Sequence, residues 1–291
     1  MRTLYFDCFS GISGDMVIGA LIDAGADPNR LVEELKKLQI EDEYELKWKK
    51  LVKNGITSTK FDVDLLNDSI HIHSHHDHEQ MHEHEHKHQH SHTHEHEHSH
   101  HHEHNQGHSH DHIHNHGHHH HHDHRAYKDI VALIEEAGFS ESVKETALKI
   151  FKRIGEAEGH IHGIPLEKVH FHEVGAVDSI IDIIGAAILI DQLGVEVIKS
   201  SPIPLGKGKI QIDHGLYPVP APATLEILKG VPIEQSDVKA ELTTPTGAAI
   251  VAVLAEEFCS IPSMRIKSIG YGAGTKTFKN HPNVLRVIIG E

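Results

Sequence analysis

The chain has 291 residues, 35 of them histidine and only two cysteine, and carries a formal net charge of −16. Residues 71–124 hold 29 of those histidines with nine acids and one lysine, so −8 of the charge belongs to this tract and −8 to the remainder. Neither part has the basic balance that nucleic-acid backbones or anionic membranes demand, which argues against both as partners. Cys8 and Cys259 exclude a disulfide framework and a cysteine-only zinc site, and point to a reducing, cytoplasmic setting. MRTLYFDC is no signal peptide, and the most apolar run, Ile183 to Ile190, is eight residues between two aspartates, too short to span a bilayer.

Residues 1–70 read as a βααββ part. TLYFDCF is a strand running into the loop SGISGD, MVIGALIDAG is an apolar-faced helix, and PNRLVEELKKL is a second helix with Pro28 in its first turn. YELKWKKLV and STKFDVDLL alternate as strands joined through Asn54-Gly55, a strong hairpin signal. From Ser74 to His124 the only apolar residues are Met81 and Ile113, so the tract 71–124 cannot bury a core and is expected to be disordered without metal. Every second residue from His82 to His100 is histidine. Neutral imidazole ligates nickel, zinc and copper, so the tract reads as a divalent-metal binder, with a solvated insertion as the bland alternative.

Residues 125–291 read as a helical plus α/β part. AYKDIVALIEEAG and SESVKETALKIFKRIGEAEG have helical apolar spacing, the second capped by Ser140. The apolar helix SIIDIIGAAILIDQLG, the strand VEVIKSSPI, Pro-rich loops, a helix near ATLEILKG and the turn TTPTG into AAIVAVLAEEF follow. MRIKSIGYG, a Gly-rich loop and NVLRVIIG close the sequence as strand, loop and strand. The alternation gives an α/β or α+β class: a mixed sheet flanked by helices and interrupted by the His-rich insertion.

Chemistry concentrates in GHIHGIPLEKVHFHEVGAVDSIIDIIG. In an extended chain, residues i and i+2 share a face, so His160 with His162 and His170 with His172 can each offer two imidazoles to one ion, with Glu173 beside them. Ordinary strand histidines are the alternative. Asp178 falls where an N-cap belongs, and Asp182, four residues on, lies on the same helical face; a carboxylate in so apolar a helix needs a partner or a function. Ser10, Gly11 and Gly14 form a strand-to-helix loop whose N–H groups suit a phosphate, bridged by a cation to Asp15, or a plain capped turn. Asp7, at the strand end, faces that loop if the sheet has an α/β crevice. Thr244, Thr246 and Gly247, and the run Gly270–Gly274, are further small-residue loops open to phosphate binding or to turn chemistry alone. Cys8 reads as a core residue, and His214 and His281 as isolated histidines.

FDCFSGISGDM, VHFHEVGAVDSIIDIIG, SPIPLGKG, HGLYPVPAPATLEILKG, ELTTPTGAAI and GYGAG with PNVLR, in this order over nearly the whole chain, resemble the LarC family of pyridinium-3,5-bisthiocarboxylic acid mononucleotide nickel insertion proteins. The resemblance implies a chelatase-like lyase that places Ni(II) into that mononucleotide, forming one nickel–carbon and two nickel–sulfur bonds. The product is the nickel-pincer cofactor of lactate racemase-type enzymes. It further implies dependence on CTP with Mg(II) or Mn(II), and an apo-enzyme that receives the product. Family members commonly continue past the PNVLR strand into a C-terminal domain to which CTP binding is attributed. The chain therefore reads as the nickel-handling part, with a C-terminal polypeptide as expected partner.

On this reading His170 and His172, with Glu173 or the pair His160 and His162, transfer the metal. Asp15, Asp178 and Asp182 supply base or second-cation chemistry, and Ser10, Gly11, Gly14, Thr244, Thr246 and Gly247 hold phosphate. Two rivals stand beside it: a non-catalytic nickel store or metallochaperone, and a metal-dependent phosphohydrolase built on Asp7, Asp15, Asp178 and Asp182.

Overall fold

The computed structural model describes residues 1–66, 125–171, 176–212 and 215–291. Strand β1 (Thr3–Asp7) leads through a tight loop into helix α1 (Gly14–Asp23). Helix α2 (Pro28–Leu35) follows, with Pro28 at its first turn and the Asp27 side chain accepting from the Asn29 N–H. Strands β2 (Tyr44–Lys53) and β3 (Ile56–Leu65) pair in register around Asn54-Gly55, both at positive φ. A two-residue turn with positive φ at both central positions matches the twist of the strands it joins. The elements of this part follow in the order β1, α1, α2, β2, β3.

Beyond the tract come α3 (Tyr127–Glu136), α4 (Glu141–His162) and α5 (Val177–Gln192). Next are β4 (Val197–Ser200), β5 (Ile203–Leu205), β6 (Lys209–Ile212) and β7 (Gly215–Pro218). Helix α6 (Pro222–Ile227), β8 (Ile233–Gln235) and α7 (Pro245–Leu254) lead to β9 (Glu257–Phe258), β10 (Ile266–Ala273) and β11 (Val284–Gly290). The first Pro-rich loop thus contains β5, β6 lies between the two loops, and β7 runs into the second; they pair in two small ribbons, β5 with β8 and β6 with β7.

The main sheet has seven strands in the order β2-β3-β10-β11-β1-β4-β9, with parallel β1–β4, β4–β9 and β3–β10 pairs among antiparallel ones. Residues from before and after the tract therefore alternate across one mixed sheet. Helix α1 lies on β10, β3 and β11, and α5 packs on α1, α2 and α4. Eleven of the sixteen residues of α5 are buried, which is why it reads as apolar on all sides.

The Gly270–Gly274 run is not a loop up to Ala273: it is the end of β10. Gly270 and Gly272 alternate toward α1, where added Cβ atoms would strike the carbonyl oxygens of Ala20 and Met16. These glycines let a helix backbone sit directly on a strand, and they bring the start of α1 over the end of β10 and the middle of β3, where Asp15 meets Lys60.

Candidate active site

The N-termini of α1, α5 and α7 meet β3 and β6 around a cavity of about 430 Å³. Asp15, Lys60, Asp62, Asp178, Asp182 and Thr244 are among its lining residues. Each helix start brings unpaired backbone N–H groups and a positive dipole end, and each also brings polar side chains into one space.

Asp182 is its centre. Gly14, the first residue of α1, has no side chain because Asp182 occupies that place: an added Cβ would lie 2.5 Å from Asp182 Cβ and Oδ2. The Asp15 N–H donates to the Asp182 carboxyl, whose Oδ1 is out of solvent and has no hydrogen-bond partner. Burial, and then the negative charges of Asp15 and Asp178, push the Asp182 carboxyl well above the usual carboxylate range, against a smaller opposing effect of Lys60. Asp178 is also raised, chiefly by burial, although its Oδ1 accepts the Ser179 N–H at 2.8 Å. The cavity thus holds carboxyl groups poised to keep a proton where an exposed aspartate would have lost it.

Lys60 is the neighbouring cation. Its Nζ lies 2.7 Å from Asp15 Oδ2, 2.8 Å from Asp62 Oδ1 and 2.8 Å from the Phe61 carbonyl oxygen. Burial works against the ammonium charge, but Asp15 and Asp62 outweigh it, and the Lys60 pKa is raised. Asp15 also accepts from the Ser13 hydroxyl. Neither Lys60 nor Asp62 is singled out by the sequence pattern, because KFDVDL reads as a strand with charged residues facing solvent.

Several expected positions differ. Asp178 is not the N-cap of α5; Ala176 is, and Asp178 sits one turn-position inside, where its carboxyl still meets an N–H. Ser10 and Gly11 face away from the cavity. The Ser10 hydroxyl hydrogen-bonds His281 Nε2 at 2.8 Å, and a Cβ on Gly11, at φ +95°, would strike the Leu242 carbonyl. Gly247 is likewise filled against the Ile12 carbonyl, while Thr244 caps α7 by accepting the Gly247 N–H at 3.2 Å. Ser13, Gly14 and Asp15 from the first loop, and Thr244, Pro245 and Thr246 from the second, are the residues that line the cavity.

Asp7 is also diverted. It is ion-paired to Arg286, whose Nε donates to Asp7 Oδ2 at 2.7 Å, and it does not line the cavity. Cys8 is buried against Ser200, and burial pushes its thiol up to about 12, as suits a core residue and not a nucleophile.

The paired-imidazole geometry does not hold for His160 and His162. Both lie in the last turn of α4, where residues two apart point to different sides, and each meets its own carboxylate: Glu226 at 3.9 Å and Glu158 at 3.2 Å. His170 is extended, bridged to Ala126, and exposed. His172, Glu173, His214 and the tract lie outside the described residues. Among the described residues no three His, Cys, Asp or Glu side chains are grouped to hold a metal, and no helix is long and apolar enough to cross a membrane.

A family model described as "Nickel insertion protein" matches residues 4–291. A "Pyridinium-3,5-bisthiocarboxylic acid mononucleotide nickel insertion protein" of Geobacillus kaustophilus is 48% identical over all of this chain and 60% of its own length. One of Desulfitobacterium hafniense is 44% identical over 59% of its length, and a "Putative nickel insertion protein" of Dictyoglomus thermophilum is 41% identical over 61%. The chain thus spans about three-fifths of these relatives. No solved structure matches it. A match along nearly its whole length, together with this level of identity, places the chain in the nickel insertion protein family.

Proposed function

We propose that this chain binds Ni(II) and inserts it, in the cytoplasm, into pyridinium-3,5-bisthiocarboxylic acid mononucleotide, with the Asp15, Asp178 and Asp182 cavity as the place where the ring is metallated. The Asp182 carboxyl, with one oxygen out of solvent and without a hydrogen-bond partner, carries the reading. Forming a nickel–carbon bond breaks a ring C–H bond, and the proton must go to a base. A carboxyl whose pKa is raised is a better proton acceptor than an ordinary aspartate. The pyridinium ring and Ni(II) are both cationic, so their arrival makes Asp182 release its proton to solvent water; the carboxylate then takes the ring proton as the C–H bond breaks and the nickel–carbon bond forms.

Nickel reaches the cavity from imidazole donors, the tract first and then His170 with His172 and Glu173. The two thiocarboxylate sulfurs of the substrate replace those donors, and softer sulfur ligands draw the transfer toward product. His160 and His162 act as separate donors. The N-terminal amides of α7, with Thr244 and Thr246, suit the substrate phosphate. The reaction is of the chelatase-like lyase type. CTP, with Mg(II) or Mn(II), binds a C-terminal polypeptide that works with this chain, and the product passes to a nickel-pincer-dependent apo-enzyme.

The test is nickel insertion into purified precursor by this chain alone and with the C-terminal segment of a longer relative, each with and without CTP. Wild-type turnover that falls at least a hundredfold in Asp182→Asn supports the site. Full turnover by that variant overturns it. A storage protein is favoured instead if nickel binds but no condition gives product. Removal of residues 74–124 separates these further, because an enzyme supplied with excess nickel keeps its turnover without the tract.

A further inference from the structure

We propose that Lys60 is a positioning residue that sets how readily the cavity gives up its proton: ion-paired to Asp15, it offsets the negative charge that faces Asp182 and keeps the Asp182 proton transferable. The inference rests on the cavity being the insertion site and extends that reading to a cation outside the carboxylate set.

An ammonium group has three N–H donors. Those of Lys60 are taken by Asp15 Oδ2, Asp62 Oδ1 and the Phe61 carbonyl, at 2.7, 2.8 and 2.8 Å. None is left for a substrate anion, so Lys60 acts on the carboxylates and not on the ligand. Its side chain is 8% exposed, and a lysine so placed keeps its charge only through such partners.

Asp182 stands in the opposite situation. The charged groups that face it are Asp15 from α1, Lys60 from β3 and Asp178 from its own helix. Asp62 lies behind Lys60, and Glu241 lines the same cavity. Asp15 has an ion-pair partner and Asp178 has the Ser179 N–H; Asp182 has the Asp15 N–H, but its Oδ1 has no partner. A buried carboxylate with one oxygen left without a donor is costly, while a neutral carboxyl in the same place is far less so. Two negative neighbours against one cation therefore leave the proton on Asp182. Without the Lys60 charge, the negative charge that faces Asp182 is no longer offset, and Asp182 holds its proton more tightly.

The test is a carbon-13 NMR titration of the aspartate carboxyl groups in the whole chain without nickel or substrate, which is independent of turnover. The Asp182 signal is identified by its loss in Asp182→Asn. In Lys60→Met its midpoint is expected to rise by about 1 pH unit or more, and in Lys60→Arg, which keeps the charge, to stay near the wild-type value. Asp15→Asn is the second arm and decides the matter should Lys60→Met not fold; there the Asp182 midpoint falls by about 1 pH unit. An Asp182 midpoint that does not move in folded Lys60→Met, or in Asp15→Asn, overturns the proposal. Where insertion is measured, its acid limb shifts upward in Lys60→Met and returns in Lys60→Arg. Expected titrations with full insertion activity in Asp182→Asn would remove the assignment of the site while leaving the role of Lys60 in the cavity intact.

Discussion

Gly14 and Asp182 share one space: the missing side chain of the first is filled by the carboxyl of the second, at 2.5 Å from where a Cβ would stand. Gly14→Ala must therefore displace α5 from α1 or drive Asp182 out of its position. Overpacking of this kind costs about 1–3 kcal/mol. A thermal melt is expected to show the loss, and insertion activity is expected to fall with it because the displaced group is the proposed base. A variant as stable as wild type would show that the two helices separate freely here.

The raised Asp182 pKa makes stability depend on pH with a definite sign. In the unfolded chain the group ionises near the ordinary aspartate value of about 4, and in the folded chain well above it. Its contribution is fully present below the unfolded value and is lost as pH rises through the folded one. Asp182→Asn, neutral at all pH, is therefore expected to be more stable than wild type at pH 8. The difference narrows toward pH 4. Melts of both proteins across this range check it, and parallel curves would contradict a protonated Asp182.

Asp7 and Arg286 face each other across the β1–β11 pair, and the guanidinium also stacks 5.9 Å from the Phe9 ring centroid. Asp7→Asn is expected to cost about 2 kcal/mol, the scale of a charge-assisted hydrogen bond in a sheltered place. Below its melting temperature the variant is expected to insert nickel within a few-fold of wild type. A hundredfold loss in a folded Asp7→Asn protein would return this residue to the chemistry.

His160 and His162 sit on different sides of α4, so they are expected to contribute to nickel affinity independently. In a double-mutant cycle with His160→Ala and His162→Ala, isothermal titration should give a coupling below about 0.5 kcal/mol. A larger value would mean that the last turn of α4 unwinds to let both rings reach one ion.

That last turn marks where reading from sequence failed and why. Gly159 and Gly163 are both candidates to end α4, and the first makes the segment behind it extended. The helix runs on to His162 and ends at Gly163, which has the left-handed φ of +65°. Gly159 stays helical because the chain beyond folds back over it: an added Cβ would lie 2.8 Å from the Ile164 carbonyl oxygen. By contrast Ser140, Pro28 and Asn54-Gly55 act through neighbours a few residues away, and the elements they punctuate lie where the pattern puts them.

The same division runs through the site. Asp182 was visible as a charge in an apolar helix, and Asp15 as an acid at a helix start. Lys60 was not, because its burial comes from α1 arriving over β3, which no local pattern encodes. Gly11 and Gly247 are small for reasons of packing against Leu242 and Ile12, and Ser10 is turned to His281, contacts far along the chain that imitate a phosphate loop in sequence.

The strand order has a consequence for how the protein is made. Strand β1 is bordered by β4 and by β11, so Thr3 pairs with Gly290 across nearly the whole chain. The middle of the sheet cannot close until residues 284–290 have left the ribosome, and until then the apolar face of α1 has lost the β11 part of its support. Pairings so distant in sequence are slow to form. Nascent chains of this protein therefore pass a long interval with β1 flanked on one side only, a stage at which chaperone binding would matter more than at any later one.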